Sequence, residues 1–474
     1  MKLSASPRSK VTLSDIIGDF YYTEIEPIRD WKLWKISGHR LRTSIYIILG
    51  IVILYYIQDY LWPITQTPHT LLEKLWSLGA YLWLAAAIPA VMGFIGLLRF
   101  EHSHSLNTVL PIKTLVSFRI VSRGTNTEAL TQTIRNCQKE MIRNQFFPFI
   151  IEVVIDIKNP ELPKENSHLS YIVVPQTYKT SQGSLYKARA LHYALENSKL
   201  PNDAWIVHLD EESHLTSSSI KGICEMISEE ETAKTYRIGQ GTILYHRKWK
   251  EHPILTLADS IRTGDDLGRF HFQHLLGITI FGLHGSFIVV RNDVEKSIGF
   301  DFGPKGSITE DAYWSLLAMQ QGYRSRWVNG YIEEQSTHSV GDFIRQRRRW
   351  FEGLLKVTLY APIDFKWRLL LGFNTIVWAI APFAALYTIA YFFLGFSIPS
   401  WLHFFANFSF ISFIVFYVIG LKVNLDEHGI HNVVKRIGWY IAQIILIPFF
   451  AIIESIGVLG VIFSPSNGFH IVKK

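Results

Sequence analysis

Long apolar runs lie at the two ends of the chain, and a long polar region separates them. The runs cover residues 44–62, 75–98, 369–394, 401–421 and 437–463. Each is close to or above the roughly 20 residues that an α-helix needs to cross a bilayer core. The pattern predicts a multi-pass membrane protein with about five spans. The last run contains Glu454, and the sequence leaves open whether that run crosses fully.

Basic residues flank the outer ends of the first two runs. Arg40 and Arg42 precede them, and Arg99 and Lys113 follow them. The connection between the two runs carries Lys74 as its one basic residue. Because cytosolic flanks of spans carry an excess of Lys and Arg, this distribution places the N-terminus and the polar middle region in the cytosol. It does not distinguish a plasma membrane from an endomembrane.

The polar middle region, residues 106–336, alternates short apolar runs with helical patterns. This alternation is typical of an α/β domain with a mostly parallel sheet. The predicted strands are 115–121, 149–155, 170–174 and 204–209, with further candidates at 242–245 and 286–290. The predicted helices are 127–143, 184–197 and 309–322, and a loop is expected at 265–284.

Polar residues follow several of the predicted strands. Ser122 and Arg123 end the first strand, Asp156 ends the second, and residues 210–212 (Asp-Glu-Glu) end the fourth. Ligands of such sheets bind beyond the carboxyl ends of the strands. We therefore expect a binding site at this edge of the sheet.

Asp210 and Glu212 are spaced so that their carboxylates can converge on one divalent cation. Mn²⁺ and Mg²⁺ prefer oxygen ligands and often bridge a protein carboxylate to substrate phosphates. The alternative interpretation is a solvated acidic loop. His271 and His274 stand three residues apart and could bind a metal, but no third ligand follows at a persuasive spacing.

A second acidic cluster opens the helix predicted at 309–322. Glu310 and Asp311 follow Thr309, which can serve as the N-cap. A carboxylate here could act as a general base toward a hydroxyl nucleophile. Helix capping alone is the competing interpretation, and Glu310 could do no more than that.

The segment QRRRW, residues 346–350, lies just before the third apolar run. If it is helical, Gln346, Arg349 and Trp350 share one face. A guanidinium suits a diphosphate and an indole ring suits the apolar face of a sugar. An Arg-rich anchor at the lipid headgroups is the alternative.

The overall charge supports anionic partners. The net charge of +7 and the pI near 9.1 favour phosphates, nucleotide diphosphates or anionic lipid headgroups. No zinc-finger spacing and no RNP-type aromatic box is present, which argues against nucleic acid. Two cysteines, Cys137 and Cys224, fit a reducing compartment.

Taken in order, these motifs resemble the membrane-bound family 2 glycosyltransferases over about residues 110–355. The matching pieces are Asp156, Lys187-Ala188, Asp210-Glu211-Glu212, His284-Gly285-Ser286, Thr309-Glu310-Asp311 and the Q-x-x-R-W of residues 346–350. Within the family, segments such as YKARAL, GLHGSF and SITEDAYW are most similar to the egghead-type β-1,4-mannosyltransferases. The acidic motif reads D-x-E here instead of the family's D-x-D.

The resemblance implies a GT-A-type catalytic domain inserted between transmembrane helices. It divides the chain into a cytosolic segment (1–43), a transmembrane hairpin (44–98), the catalytic domain (106–336), an interfacial helix (337–360), three C-terminal transmembrane helices (369–463) and a tail (464–474). It also implies transfer of mannose from GDP-mannose to a glycolipid such as glucosylceramide, with inversion to a β-1,4 linkage.

The same resemblance assigns roles to individual residues. Asp311 is the expected base, and Asp210 with Glu212 would hold Mn²⁺ or Mg²⁺. Nucleotide-sugar contacts are expected from Ser122, Arg123, Asp156, Lys187, Glu211, Gln346 and Arg349. Acceptor contacts are expected from His284, Gly285, Ser286, Glu310 and Trp350.

Two other functions remain open at this point. A processive polysaccharide synthase that uses a UDP-sugar shares the T-E-D and Q-x-x-R-W motifs, and its product would be a polymer. A non-catalytic membrane scaffold would keep the sheet as a platform and would tolerate replacement of Asp311.

Overall fold

The computed structural model describes residues 38–61, 67, 69–100, 109–247, 249–394 and 400–463. Most of the expected N-terminal segment and the whole of the 464–474 tail lie outside these residues. Contacts divide the chain into one unit that ends at Ile48 and a second that begins at Leu49. All elements beyond the first helix belong to the second unit.

Seven strands form one mixed, mostly parallel sheet in the described part of the chain. They are β1 (Val116–Ser122), β2 (Phe149–Ile155), β3 (Leu169–Val173), β4 (Trp205–Asp210), β5 (Ile238–Leu244), β6 (Ile288–Arg291) and β7 (Ser325–Glu333). The spatial order is β3-β2-β1-β4-β6-β5-β7, and β6 runs antiparallel to both of its neighbours. The parallel pairing of β1 with β2 and β4 brings the ends of these three strands to one edge.

The helices surround this sheet and extend beyond it. They are α1 (Gly38–Leu61), α2 (Leu71–Ser77), α3 (Leu84–Arg99), α4 (Thr127–Arg143), α5 (Tyr186–Asn197), α6 (Ser217–Ala233), α7 (Pro253–Asp265), α8 (His271–Leu275), α9 (Asn292–Ile298), α10 (Gly303–Gly306), α11 (Glu310–Gln320), α12 (Val340–Tyr360), α13 (Phe365–Leu394), α14 (Ser400–Glu427) and α15 (Val433–Phe463). A 3₁₀ segment (Leu78–Trp83) joins α2 to α3, and a π-helical turn (Asp266–Phe270) joins α7 to α8.

The sheet is buried on both faces. Helices α4 and α6 cover one face, with apolar side chains such as Ile134 and Ile223 in that core. Helices α5 and α11 cover the other face, where Leu191 and Leu316 are buried. Strands buried on both sides need nearly continuous apolar sequences, and for this reason the strands at 115–121 and 149–155 were predictable within a residue.

Four helical stretches among the described residues are long and apolar enough to cross a membrane: Leu71–Arg99, Phe365–Ala384, Trp401–Glu427 and Val433–Phe463. Helix α1 contains a shorter apolar stretch, Ser44–Ile57, within the first predicted span. Helix α3 contacts α13 and α14, and α15 contacts the same two helices, so these four helices form a closed ring.

The prediction of a loop at 265–284 was wrong for its first half. Residues up to Leu275 are helical, and the π-helical turn packs against α3. A β-carbon at Gly96 would lie 1.9 Å from the carbonyl oxygen of Gly268, so only glycine permits this backbone approach. The contact supplies tertiary support that the local sequence does not reveal.

Candidate active site

One cavity of about 1300 Å³ lies where strand ends, α11, α12 and the membrane helices meet. Twelve of the residues that we singled out from the sequence line it: Lys187, Asp210, Glu211, Glu212, His284, Gly285, Ser286, Glu310, Asp311, Gln346, Arg349 and Trp350. These residues come from five separate parts of the chain, so the fold brings together what the sequence holds apart.

Lys187 lies at the centre of the acidic groups. Its Nζ atom is 2.6 Å from Oδ1 of Asp210 and donates to the carbonyl oxygen of Gly285 at 2.7 Å. Glu310 Oε1 is 3.6 Å away. Burial alone would lower the pKa of Lys187, but the surrounding carboxylates outweigh it and raise that pKa. The lysine therefore stays charged and offers a fixed cation beside the predicted reacting groups.

Asp311 stands beside this lysine at the start of α11. A β-carbon on Gly285 would lie 3.3 Å from Asp311 Oδ2 and 3.1 Å from Lys187 Nζ, so the absence of a side chain at Gly285 leaves space between them. Burial, with the Glu310 carboxylate adding to it, raises the pKa of Asp311 to about 7. A carboxylate with this pKa can take a proton near neutral pH and release it again.

Thr309 occupies the N-cap position of α11, as predicted, but its side chain makes no capping hydrogen bond. Its hydroxyl is buried and has no hydrogen-bond partner, while Asp311 Oδ1 accepts from the main-chain N–H of Ala312 at 2.7 Å. Thr309 is thus the N-cap by position, and Glu310 and Asp311 lie in the first turn of the helix.

Three expected nucleotide-binding residues do not line the cavity. The hydroxyl of Ser122 donates to Glu211, which ties the end of β1 to the end of β4. Asp156 forms an ion pair with Arg189 of α5, and Arg123 is exposed. All three lie at the expected strand ends, and their contact with a nucleotide remains a prediction.

The turn His284–Ser286 forms one wall. Ser286 Oγ is 2.8 Å from Ser213 Oγ, and Ser213 donates to Glu334 at 3.0 Å. His284 Nδ1 is 3.4 Å from Oδ1 of Asp266. Burial lowers the pKa of His284 well below its ordinary value and raises the pKa of Asp266 well above its ordinary value, so burial disfavours the charged form of both groups.

Helix α12 places its three consecutive arginines differently. Arg349 lines the cavity with Gln346 and Trp350, as the helical spacing predicted. Arg347 is buried, and its Nη2 donates to Oδ1 of Asp259 at 2.6 Å. Arg348 lies against Gly460 of α15.

Two further cations frame Trp350, and sequence reasoning missed both. The guanidinium carbons of Arg262 and Arg347 lie 4.3 Å and 4.6 Å from the centroid of its ring. Such contacts hold an indole ring in one orientation. The available signal for Arg262 was its spacing from Asp259, three residues earlier in α7, which places both on one face of that helix.

Two residues next to the site have positive φ angles although they are not glycine. Tyr186 has φ of +53° and directly precedes Lys187, while Phe287 has φ of +57° and directly follows Ser286. Such conformations are costly and concentrate where the fold must aim a functional group. Tyr186 is next to Lys187 in the chain and Phe287 is two residues after Gly285, so the two residues flank the contact between Lys187 and Gly285.

The carboxylates fit a cation that a substrate helps to hold. Asp210 and Glu212 line the same cavity and offer oxygen ligands, which Mn²⁺ and Mg²⁺ prefer. Within the described ranges, no three His, Cys, Asp or Glu side chains are placed to hold a metal by themselves. His271 instead has Nδ1 2.8 Å from the carbonyl oxygen of Gly96, which gives it a structural role between α8 and α3.

The sheet, the acidic strand end and the buried carboxylate beside a fixed cation are the arrangement that we expect of an enzyme of the sugar-transferring class. Residues 205–422 match the glycosyl transferase family group 2. The chain is 32% identical over 427 residues to beta-1,4-mannosyltransferase bre-3 of Caenorhabditis elegans, which covers 87% of this chain and 91% of the relative. It is 34% identical over 375 residues to beta-1,4-mannosyltransferase egh of Drosophila melanogaster, and this match covers 76% of this chain and 78% of the relative. The chain belongs to glycosyltransferase family 2 and is a glycosyltransferase.

Solved structures resemble it more distantly. Mannosyltransferase PcManGT from Pyrobaculum calidifontis, solved with GDP-Man and Mn²⁺, has a TM-score of 0.42 and 12% identity, covering 81% of this chain and 99% of that chain. Residues 1–349 of TarS from S. aureus, solved with UDP, have a TM-score of 0.31 and 12% identity, and the match covers 76% of this chain and 94% of that chain.

Proposed function

We propose that this protein transfers mannose from GDP-mannose to a membrane glycolipid such as glucosylceramide and forms a β-1,4 linkage. The observation that carries the proposal is the carboxyl group of Asp311, whose pKa is raised to about 7 beside Lys187 in the shared cavity. The two relatives named above, both β-1,4-mannosyltransferases, support the choice of sugar and linkage.

The chemistry follows from the placement of these groups. Asp311 accepts the proton of the acceptor hydroxyl, and the oxygen attacks the anomeric carbon from the face opposite the diphosphate. The bond from that carbon to the diphosphate breaks, and the diphosphate leaves with the electron pair. One displacement of an α-linked donor gives a β-linked product.

Fixed charges stabilise the leaving group in this scheme. Arg349, with Gln346 on the same face of α12, donates to the diphosphate, and a guanidinium keeps its charge throughout. Asp210 and Glu212 would hold Mn²⁺ or Mg²⁺, which when bound supplies positive charge to the diphosphate. Trp350, oriented by Arg262 and Arg347, offers its ring face to the acceptor sugar.

A processive polysaccharide synthase is the second candidate, because the cavity continues among the membrane helices. The two functions differ in their donor and in the size of their product. The basic flanks of the apolar runs favour a cytosolic catalytic domain under either proposal.

The test is a donor-and-acceptor assay on the full-length protein in nanodiscs with Mn²⁺ or Mg²⁺. GDP-mannose, UDP-glucose and UDP-N-acetylglucosamine are each offered with glucosylceramide, and products are identified by mass spectrometry. We expect the mass of one added hexose with GDP-mannose and no product with either UDP-sugar. A ladder of products from a UDP-sugar would contradict the proposal and would favour the synthase.

A further inference from the structure

The cavity does not stop at the reacting groups. It continues into the ring of α3, α13, α14 and α15, where each helix contributes lining side chains. Ala90, Val377, Phe413 and Ala451 are one example from each helix. At about 1300 Å³ the whole cavity exceeds the roughly 300–1,000 Å³ that is common for small-ligand pockets. The nucleotide-sugar site therefore leaves part of the cavity for another group.

Small residues and prolines keep this inner part open. Pro89, Pro382 and Pro448 come from three different helices of the ring, and all three line the cavity. Each proline leaves a main-chain carbonyl without its helical partner, which membrane helices tolerate where the backbone lies within protein or beside a cavity. Ala86 and Ala381 add short side chains to the same lining.

The polar groups of the inner part already donate their protons to the protein. Ser409, Ser412 and Ser455 line the cavity, and each hydroxyl donates to a main-chain carbonyl one turn earlier in its own helix. The indole N–H of Trp378 donates to Glu454 Oε1 at 3.0 Å. A glycan would require many polar partners here, whereas a hydrocarbon chain requires none.

A polar layer separates this inner part from the reacting groups. Arg269 donates to Asn374 Oδ1 at 2.8 Å, and Arg347 Nε lies 4.0 Å from Glu454 Oε2. Along the cavity, the charged site is therefore followed by the polar layer and then by the apolar interior. This is also the order of sugar, polar linkage and hydrocarbon chain in a glycolipid.

We propose that one hydrocarbon chain of the acceptor lipid occupies the inner part of the cavity, between α3, α13, α14 and α15. The polar linkage of the lipid lies at Arg269, Asn374 and Glu454, and the sugar reaches Asp311. Because the chain is held at a fixed depth, the acceptor hydroxyl is presented to the base in a defined position. The identity of the acceptor as a glycolipid rests on the proposed function.

Two neighbouring residues of α13 offer a matched pair of variants. Val377 lines the cavity, whereas Ile376 does not line it and is 58% exposed. Val377→Phe fills the inner part, and Ile376→Phe adds an aromatic ring of the same size at an exposed position outside the cavity. Ala451→Leu fills the cavity from another helix, α15, with an aliphatic side chain and serves if Val377→Phe fails to fold.

The first measurement is transfer to two acceptors with the same glucosyl headgroup, namely long-chain glucosylceramide and a short alkyl glucoside. We expect Val377→Phe to lower kcat/KM for the long-chain acceptor by about tenfold or more. For Val377→Phe, kcat/KM for the short acceptor and KM for GDP-mannose should stay at wild-type values. For Ile376→Phe, the kinetic constants with both acceptors and with GDP-mannose should stay at wild-type values. The proposal would be overturned if Val377→Phe lost kcat/KM equally for the two acceptors, or if the two variants lost kcat/KM equally for the long-chain acceptor.

The second measurement detects the chain directly and does not require turnover. A glucosylceramide with a diazirine in its acyl chain is photolysed on the full-length protein in nanodiscs, and labelled peptides are mapped. Labels on the cavity side of α13 and α15 that disappear in Val377→Phe support the proposal. Labels confined to outer surfaces contradict it. If no sugar is transferred but the cavity is labelled, the proposed function fails and the chain site stands.

Discussion

The properties of Asp311 come from its neighbours more than from its own chemistry. An ordinary aspartate has a pKa of about 3.9 and is a poor base near neutrality. Burial and the adjacent Glu310 raise the pKa of this carboxyl group to about 7, while Lys187 opposes the shift. The sequence indicated the residue type and the position in a T-E-D motif, but it could not indicate the pKa.

The raised pKa of Asp311 predicts the pH dependence of the rate. The carboxyl group must be deprotonated to accept a proton, so kcat/KM should rise with pH and level off above about pH 7. Below pH 6 the slope should approach about tenfold per pH unit. Steady-state rates from pH 5.5 to 8.5 measure this, with Asp364→Asn, an exposed site outside the cavity, as a control. A profile that is flat across this range would contradict the assignment of Asp311 as the base.

At the scale of elements, α12 joins the catalytic site to the membrane helices. Gln346, Arg347, Arg349 and Trp350 all line the cavity, and Arg347 in addition is buried in an ion pair with Asp259 of α7. Helical periodicity was enough to predict the shared face of Gln346, Arg349 and Trp350. The burial of Arg347 depends on α7, which is distant in sequence, so no local pattern could predict it.

Arg347→Met should destabilise the protein, because Arg347 holds a buried ion pair with Asp259. The change leaves Asp259 buried without its ion-pair partner, which typically costs about 3–5 kcal/mol. Thermal unfolding in detergent should show a clearly lower midpoint for Arg347→Met and a near wild-type midpoint for Arg349→Met, which loses activity instead. The double variant Asp259→Asn/Arg347→Met should recover part of the loss. Equal midpoints for the two single variants would refute this division of roles.

Helix α15 contacts the catalytic part of the chain near both of its ends. The Trp439 ring packs on Trp249 with centroids 4.9 Å apart, and a β-carbon at Gly457 would lie 3.0 Å from the carbonyl oxygen of Ile344 in α12. These positions are separated by about 27 Å of helix, which is close to the thickness of a bilayer core. We therefore expect both ends of α15 to lie on the side of the catalytic domain.

This course of α15 predicts the position of its C-terminal end. A cysteine in Phe463→Cys should react with a membrane-impermeant maleimide from the side that carries the catalytic domain, because the two native cysteines are buried. Trp401→Cys, at the start of α14 and 52% exposed, should react from the opposite side in the same sealed vesicles. If the cysteines of Phe463→Cys and Trp401→Cys react from the same side of the membrane, α15 crosses it.

How well an element could be predicted depended on whether its signal is local. Strands β1 (VSFRIVS) and β2 (FIIEVVI) are rich in β-branched and aromatic residues and were found within a residue, whereas β7 (SRWVNGYIE) has fewer β-branched residues and was missed. The helical turn at Asp266–Phe270 was missed because it forms against Gly96 of α3. The sequence predicted the separate helices of the ring around the inner cavity. It did not predict the ring itself, because the ring depends on how the helices pack against each other.

At the scale of the whole molecule, the catalytic domain and the membrane helices share one cavity. The carboxylates and the arginine of the site lie at one end of this cavity, and the apolar interior of the helix ring lies at the other. A soluble acceptor would need no such connection. The arrangement explains why a sheet that could be covered by helices alone is joined to the membrane segments through α12.

The most direct test of this account is the anomeric configuration and rate of transfer from GDP-mannose to glucosylceramide, measured by NMR and mass spectrometry. Wild-type protein should form one β-linked mannose, and Asp311→Asn should transfer about 10²–10⁴-fold more slowly while still binding GDP-mannose. Asp364→Asn should match the wild type. An α-linked product, or an Asp311→Asn variant with the wild-type rate, would contradict the account.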